Sequence, residues 1–350
     1  MPTETVYGLA ASATSEAAMT KLAAAVGADG PVHSTWHCPT TERALEALPI
    51  THAAHRRLIE SLTPGPVRFL LDLPIETIAS TIDALGAQRG AMDDGTAIAL
   101  RIPDHPLATL VLEAASEPIV AHGIAAAGWG DGRTLDALPA SHGADAGVGV
   151  VLDDGPARLG TPSTTVRLTE TGGVEVVREG SYDARTIMAV VRRRLLFVCT
   201  GNTCRSPIAE ALASSLAPGV VPAGMTIEAS SAGVAAYDGA PATQEGLDAL
   251  AEMGIEPGTQ SGTRSGQAHR SRALTRAMLE EADEIYALTR SHRDAILSLD
   301  PTADSRVHLL DPAGGDVSDP IGGSAEVYRQ TAAQIAEMVH TRLSTPPSPS

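Results

Sequence analysis

The stretch LLFVCTGNTCRSPIAEAL, residues 195–212, sets an apolar run against an alanine-rich segment and puts two cysteines and an arginine into seven residues between them. The apolar run RLLFVCT reads as a short buried strand, and PIAEALASSLA as a helix with Pro207 near its start. The same alternation continues downstream. MTIEASSAG is a second strand, PATQEGLDALAEMG a helix closed by Gly254, SRALTRAMLEEA a further helix, DEIYALT and SRVHLL the third and fourth strands, and AEVYRQTAAQIAEMVHTRL a long final helix. Strands separated by helices predict a doubly wound α/β domain with a four-stranded parallel sheet over residues 193–343. The segment STPPSPS, 344–350, is too rich in Pro and Ser to pack and predicts a disordered tail.

Residues 1–190 predict a second, mixed α/β domain. Helical stretches (15–26, 41–62, 105–116) and short strands (66–72, 96–102, 148–152, 164–168, 174–178) follow one another there without clean alternation. A chain of 350 residues exceeds what one core usually organises. The net charge of -17 is spread over both halves, with 13 Lys/Arg against 23 Asp/Glu in residues 1–192 and 12 against 19 beyond. Neither half has the positive excess that binding a phosphate backbone requires, so strong nucleic-acid binding is not expected. No apolar run reaches the length of a membrane span and no basic-then-apolar leader opens the chain, which predicts a cytoplasmic protein without membrane attachment. Three cysteines do not make a disulfide framework.

Cys199 and Arg205 bracket Thr200, Gly201, Asn202, Thr203 and Cys204, between a strand end and a helix start. Such a loop turns backbone N–H groups inward, and the helix terminus adds partial positive charge, so a phosphate dianion is its natural guest. Arg205 can grip two phosphate oxygens with its planar fork. The same positive potential stabilises a thiolate at Cys199, and the Ser206 hydroxyl can hydrogen-bond it. A zinc site needs three or four ligands, and the remaining cysteine, Cys38, lies in the other domain, so no metal is expected. A phosphoryl transfer also needs a general acid. GDVSDPIGGSAEVY offers Asp316 and Asp319, of which Asp319, aimed by Pro320 and followed by Gly322-Gly323, is the better placed.

The pieces VCTGNTCRSPIAEA, SSAGV, HRSRALT, ADEIYALT and DVSDPIGGSAEVYRQT give residues 195–343 a strong resemblance to the low-molecular-weight protein phosphatases. The resemblance implies Cys199 as nucleophile, Arg205 as phosphate clamp and Asp319 as general acid, with no metal or organic cofactor. It implies that Asn202, Ser206, Ser231 and His269 form a polar network holding the loop, and that Cys204 is the second cysteine, able to form a reversible disulfide with the nucleophile. The implied substrates are phosphorylated proteins. The family includes phosphotyrosine phosphatases, phosphoarginine phosphatases and arsenate reductases; the last need further relay cysteines, which this domain lacks. In tyrosine-specific members an aromatic pair follows the Asp-Pro and a bulky aliphatic residue stands two before the clamp arginine. Here those places hold Ile321-Gly322 and Thr203. A threonine hydroxyl suits a polar guanidinium better than a phenyl ring, so phosphoarginine is favoured, with Tyr237 and Ile321 as the alternative apolar wall.

The opening MPTETVYGLAA, together with TPGPVRFLL, AIALRIPDHPLA, GTPSTTVRL and VVREGSYD, resembles the YrdC-like threonylcarbamoyl-adenylate synthases over residues 1–187. That likeness implies a twisted mixed α/β sheet around a nucleotide cavity lined by Thr3, Thr5, Tyr7, Ser163 and Arg178. The departures point to a degenerate, shortened domain. Only Met1 precedes the PTETVYG motif, no Lys-x-Arg pair occurs in AAAVGADGPVHST, and HGIAAAG replaces a Ser-x-Asn element. A site without these cations in an acidic domain binds ATP poorly. Trp36-His37-Cys38 and the Gly-rich GWGDGR, residues 128–133, read as inert. Two rival readings stand beside the phosphatase: a working synthase with the phosphatase as passenger, and a module that grips phosphoproteins without turnover.

Overall fold

The structure is a computed structural model that describes residues 1–28, 32–136, 147–255 and 269–345, and it divides into two compact units, Met1–Val191 and Arg192–Ser350. The first contains β1 (Gly8–Ser12), α1 (Glu16–Ala25), β2 (Thr35–His37), α2 (Thr41–Ala47), α3 (Ala53–Leu62), β3 (Val67–Asp72), α4 (Ile75–Ala84), β4 (Ala97–Arg101), α5 (Pro106–Ala114), β5 (Ile119–Gly123), β6 (Thr164–Leu168), β7 (Val174–Arg178) and α6 (Ala184–Val190). Its seven strands form one mixed sheet in the order β1-β5-β2-β4-β3-β6-β7. Only β2–β4 and β3–β6 run parallel. Local signals start the helices: the side chains of Ser15, Thr40 and Asp183 each accept a first-turn N–H, of Ala18, Arg43 and Thr186.

Several expectations for this unit need correction. The stretch 41–62 is two helices rather than one, because Pro49 interrupts the intrahelical bonding. Residues 148–152 form no strand, and they contribute exposed side chains at Val150 and Val151. Strands β1, β2 and β5 and helices α4 and α6 went unread. GWGDGR follows a 3-10 turn and winds through left-handed glycines at 128, 130 and 132 to meet Tyr7, whose N–H donates to the Gly132 carbonyl. It holds chain rather than phosphate.

The second unit contains β8 (Arg192–Cys199), α7 (Arg205–Val220), β9 (Thr226–Gly233), α8 (Gln244–Glu252), α9 (Arg276–Glu281), β10 (Glu284–Ala287), α10 (Arg290–Leu299), β11 (Val307–Leu309) and α11 (Ala325–Ser344). All four strands pair in parallel, in the order β11-β10-β8-β9. Residues of β8 alternate between two cores. Leu195, Phe197 and Cys199 pack with Ile208, Leu212, Leu250, Tyr328 and Ile335 of α7, α8 and α11. Leu196 and Val198 pack with Leu279 and Ile296 of α9 and α10. Helices thus cover both faces, as a doubly wound sheet requires. The last helix extends through Ser344, which the expected tail had included, and residues 346–350 lie outside the described residues.

The base of β8 carries a buried ion pair. Arg193 forks onto Glu284 of β10, Nε to Oε1 at 2.7 Å and Nη2 to Oε2 at 2.9 Å, and its remaining protons reach the carbonyls of Arg342 and Leu343. Tyr286 donates its hydroxyl to the same carboxylate. Removing one partner of such a pair strands a buried charge, so Arg193→Met is expected to cost about 3–5 kcal/mol. The loss is read from the urea midpoint, and Arg193→Met with Glu284→Leu recovers part of it.

Candidate active site

Cys199 is the last residue of β8 and Arg205 the first of α7, and the chain reverses between them by placing Asn202 in the left-handed region at φ 54. Asn202 is fully buried and every polar atom of it is engaged. Its main-chain N–H points at Cys199 Sγ, 3.3 Å away. Its Nδ2 donates to Ser206 Oγ at 2.9 Å and to Ser231 Oγ at 2.8 Å, and its Oδ1 accepts the main-chain N–H of Arg272 at 2.8 Å. Its carbonyl accepts from His269 Nε2 at 2.8 Å. Asn202, Ser206, Ser231 and His269 are therefore brought together around the loop.

Ser206 Oγ lies 3.0 Å from Cys199 Sγ. Asn202 donates to Ser206, whose single proton lies between two acceptors, the sulfur at 3.0 Å and the Ala232 carbonyl at 3.4 Å; given to sulfur, it stabilises a thiolate. Ser231 in turn donates to Glu210 Oε2 at 2.5 Å. Burial raises the Glu210 carboxyl above its usual range, opposed by Ser231, His269 and Arg272. Glu210 went unread in the sequence, although it falls four residues after Ser206 and so on the same helical face.

Arg205 is almost wholly buried. Nη1 donates to the Val317 carbonyl at 3.0 Å and Nη2 to Asp319 Oδ2 at 2.6 Å, while Nε is buried without a hydrogen-bond partner among the described residues. The structure thus joins the expected clamp to the expected acid. Asp316 is turned elsewhere, accepting the N–H of Arg290 at 2.8 Å. Thr203 is half-buried, with Oγ1 3.6 Å from Cys204 Sγ. Cys204 Sγ lies 3.7 Å from the hydroxyl of Tyr328, whose pKa burial pushes up to about 12. Tyr237 and Ile321 are 90 % and 68 % exposed, and Thr200 and Gly201 complete the loop.

The segment 271–282 is helical only from Arg276, a correction to the helix expected over its whole length. Asn202 Oδ1 and Gly233 hold the first part extended: Gly233 donates to the Arg272 carbonyl and Leu274 to the Gly233 carbonyl, both at 2.9 Å. These bonds outcompete helix propensity. Gly233 has a steric duty as well. A Cβ there would stand 2.5 Å from the Thr200 carbonyl oxygen and 2.9 Å from the Asn202 nitrogen. Gly233→Ala is therefore expected to displace the loop and to weaken inorganic phosphate binding at least a hundredfold by titration calorimetry, a cost of about 3 kcal/mol.

In the first unit the expected cavity residues fall into separate groups. Thr3 and Thr5 meet at Arg101, whose Nη2 donates to Thr5 Oγ1 at 2.6 Å and lies 3.0 Å from Glu4 Oε1. Tyr7 donates its hydroxyl to the Gly155 carbonyl at 2.7 Å, and Arg178 donates to the carbonyl of Ser163 at 3.0 Å. Arg68 stands directly across the β3–β4 ladder from Arg101, and the Nε of each is buried without a hydrogen-bond partner. The sequence reading saw no cations here because these two arginines sit on strands, far from the first helix. His37 and Cys38 are inert: burial takes His37 down to about 3 and the Cys38 thiol up to about 11. Among the described residues, no cluster of His, Cys, Asp and Glu is placed to hold a metal, and no helix is long and apolar enough to cross a membrane.

Residues 194–345 match the family model described as low molecular weight phosphotyrosine protein phosphatase, and residues 1–180 the Sua5/YciO/YrdC model described as telomere recombination. The chain is 37% identical over 151 residues to a protein-arginine-phosphatase of Geobacillus stearothermophilus, covering 42% of this chain and 90% of that one. It is 37% identical over 149 residues to a protein-arginine-phosphatase of Bacillus subtilis (strain 168), covering 41% and 91%. It is 33% identical over 149 residues to the low molecular weight protein-tyrosine-phosphatase PtpB of Staphylococcus epidermidis, covering 42% and 94%. A loop of this geometry, sequence matches that span nearly all of these relatives, and a family model fitting the first unit make the chain a member of two families: the low molecular weight phosphotyrosine protein phosphatases through its second unit and the Sua5/YciO/YrdC proteins through its first.

Proposed function

We propose that the second unit is a cysteine-dependent protein phosphatase that prefers phosphoarginine to phosphotyrosine. The observation that carries the reading is the convergence on one sulfur: Cys199 Sγ faces the Asn202 N–H at 3.3 Å and the Ser206 hydroxyl at 3.0 Å, at the N-terminus of a 16-residue helix whose first residue is the clamp Arg205. A phosphoryl group lowered into the loop meets inward N–H groups and the partnerless Arg205 Nε. The Cys199 thiolate attacks phosphorus, the P–N or P–O bond breaks, and Asp319 gives its proton to the leaving nitrogen or oxygen. Arg205 holds the charge that builds on the equatorial oxygens. Asp319 then takes a proton from the water that hydrolyses the cysteinyl phosphate, which frees phosphate and restores the thiol site. No metal or organic cofactor enters these steps.

The preference rests on Thr203. Its half-buried hydroxyl offers a polar contact to a guanidinium, and the strong exposure of Tyr237 and Ile321 leaves neither packed as a wall for a phenyl ring. Among relatives, two named protein-arginine-phosphatases stand at 37% identity.

For the first unit we propose a degenerate YrdC-like domain without synthase turnover. Arg101 is engaged by Glu4, Thr3 and Thr5 of its own chain, and the Lys-x-Arg pair has no counterpart in residues 23–35. Threonine-dependent pyrophosphate release from ATP would overturn this.

The test of the phosphatase is phosphate release from a phosphoarginine protein and a phosphotyrosine peptide side by side. Cys199→Ser is expected to abolish both. Asp319→Asn is expected to slow turnover about 10²–10⁴-fold, the usual worth of a general acid. Thr203→Ile is expected to reverse the preference. Full activity in Cys199→Ser would sink the reading, and a phosphotyrosine preference in the unaltered protein would sink the role given to Thr203.

A further inference from the structure

Thr200, the residue after the nucleophile, has its hydroxyl 2.8 Å from Nε2 of His292 on α10. On the far side of the ring, Nδ1 lies 2.9 Å from Thr289 Oγ1, the hydroxyl that caps α10 by accepting the main-chain N–H of His292 at 3.3 Å. The imidazole is 3 % exposed. It lies within electrostatic reach of Arg205, Asp319 and Asp316. It is therefore a buried ring spanning a helix cap and the phosphate loop.

We propose that His292 is a positioning residue that donates from Nε2 to the Thr200 hydroxyl, so that the Thr200 proton is aimed at the bound phosphoryl group. This rests on the phosphatase reading of the second unit. The proposed bonds run in one direction. Thr289 accepts from the helix and from the Ser291 hydroxyl 2.9 Å away and gives its own proton to Nδ1, so that the neutral ring carries its proton on Nε2. Nε2–H fills one lone pair of Thr200, which leaves the Thr200 proton free for an anion. The directed chain needs an uncharged ring, and burial together with Arg205 holds the His292 pKa down at about 4. Thr200 is exposed and directly follows the nucleophile in the loop. In the opposite tautomer Thr200 would donate to the ring and show a dianion only lone pairs, so phosphate selects the first arrangement.

The experiment measures inorganic phosphate as a competitive inhibitor of the full chain hydrolysing p-nitrophenyl phosphate. Thr200→Val and His292→Leu are each expected to raise the inhibition constant about tenfold, in line with losing a hydrogen bond to a charged group. The double variant is expected to be no worse than either single one, because both remove the same donor. His292→Gln, whose amide can place an N–H near the lost Nε2–H, is expected to recover most of the affinity. Unaltered phosphate affinity in His292→Leu, or losses that multiply in the double variant, overturns the proposal. So does equal loss of affinity and melting temperature in His292→Leu and His292→Gln, which assigns the ring to stability alone. If the unaltered protein shows no Cys199-dependent turnover, the phosphatase reading falls instead, and the same variants titrated with phosphate by calorimetry decide the role of His292 separately.

Discussion

The active site depends on one residue held in an unfavourable backbone shape. Asn202 sits at φ 54, a region that costs most non-glycine residues about 1–2 kcal/mol and that asparagine tolerates best. Its amide and main chain offset that cost by binding Ser206, Ser231, Arg272 and His269. The reversal at Asn202 turns its N–H toward Cys199 sulfur. The same reversal brings the loop so close to β9 that only glycine fits at position 233. Removing the amide would strip Ser206, Ser231 and the Arg272 N–H of a bond in a buried space. The loop is therefore rigid because its supports are shared, rather than because any single bond is strong.

The sheet order explains why this loop lies where it does. From β8 the chain crosses one way to β9 and then back to β10 on the opposite side, so the connections leaving β8 and β10 diverge. Such a switch opens a crevice at the C-terminal ends of the two strands, the usual seat of ligands in parallel sheets. Cys199 ends β8, and Thr289 with His292 starts the helix after β10. The contact between Thr200 and His292 bridges that crevice. Asp319, 114 residues beyond the clamp, closes it through Arg205.

Legibility in the sequence followed distance along the chain. Nucleophile, loop, clamp and helix start are contiguous, so residue chemistry alone exposed them, and Asp319 stood out through its own Pro and Gly neighbours. Ser231 and His269 came only through family likeness, since nothing local ties them to the loop. Glu210, His292 and Tyr328 escaped notice because a charged or polar residue within an amphipathic helix looks the same whether it faces water or a buried hydroxyl. Residues 271–275 read as helix because alanine and leucine favour it, and tertiary bonds to Asn202 and Gly233 decided otherwise. In the first unit β2 is three residues long, too short for periodicity to register, and β1 (GLAAS) and β5 (IVAHG) are diluted by Gly and Ala where β6 (TTVRL) and β7 (VEVVR), of the same length, are rich in β-branched residues.

Charge adds a constraint on what the site can take. At -17 the chain carries a net charge that repels a phosphate dianion approaching to within a Debye length, about 8 Å at physiological salt. Attraction is confined to the loop, where the Asn202 N–H, the start of α7 and buried Arg205 act at contact range. A phosphotyrosine side chain brings its two negative charges through that field with nothing to offset them. A phosphoarginine side chain carries its phosphoryl group on a guanidino nitrogen, so its own positive charge travels beside the negative one and reduces that repulsion. The acidic surface thus works in the same direction as the Thr203 hydroxyl and supports the preference for phosphoarginine on grounds independent of the cleft wall.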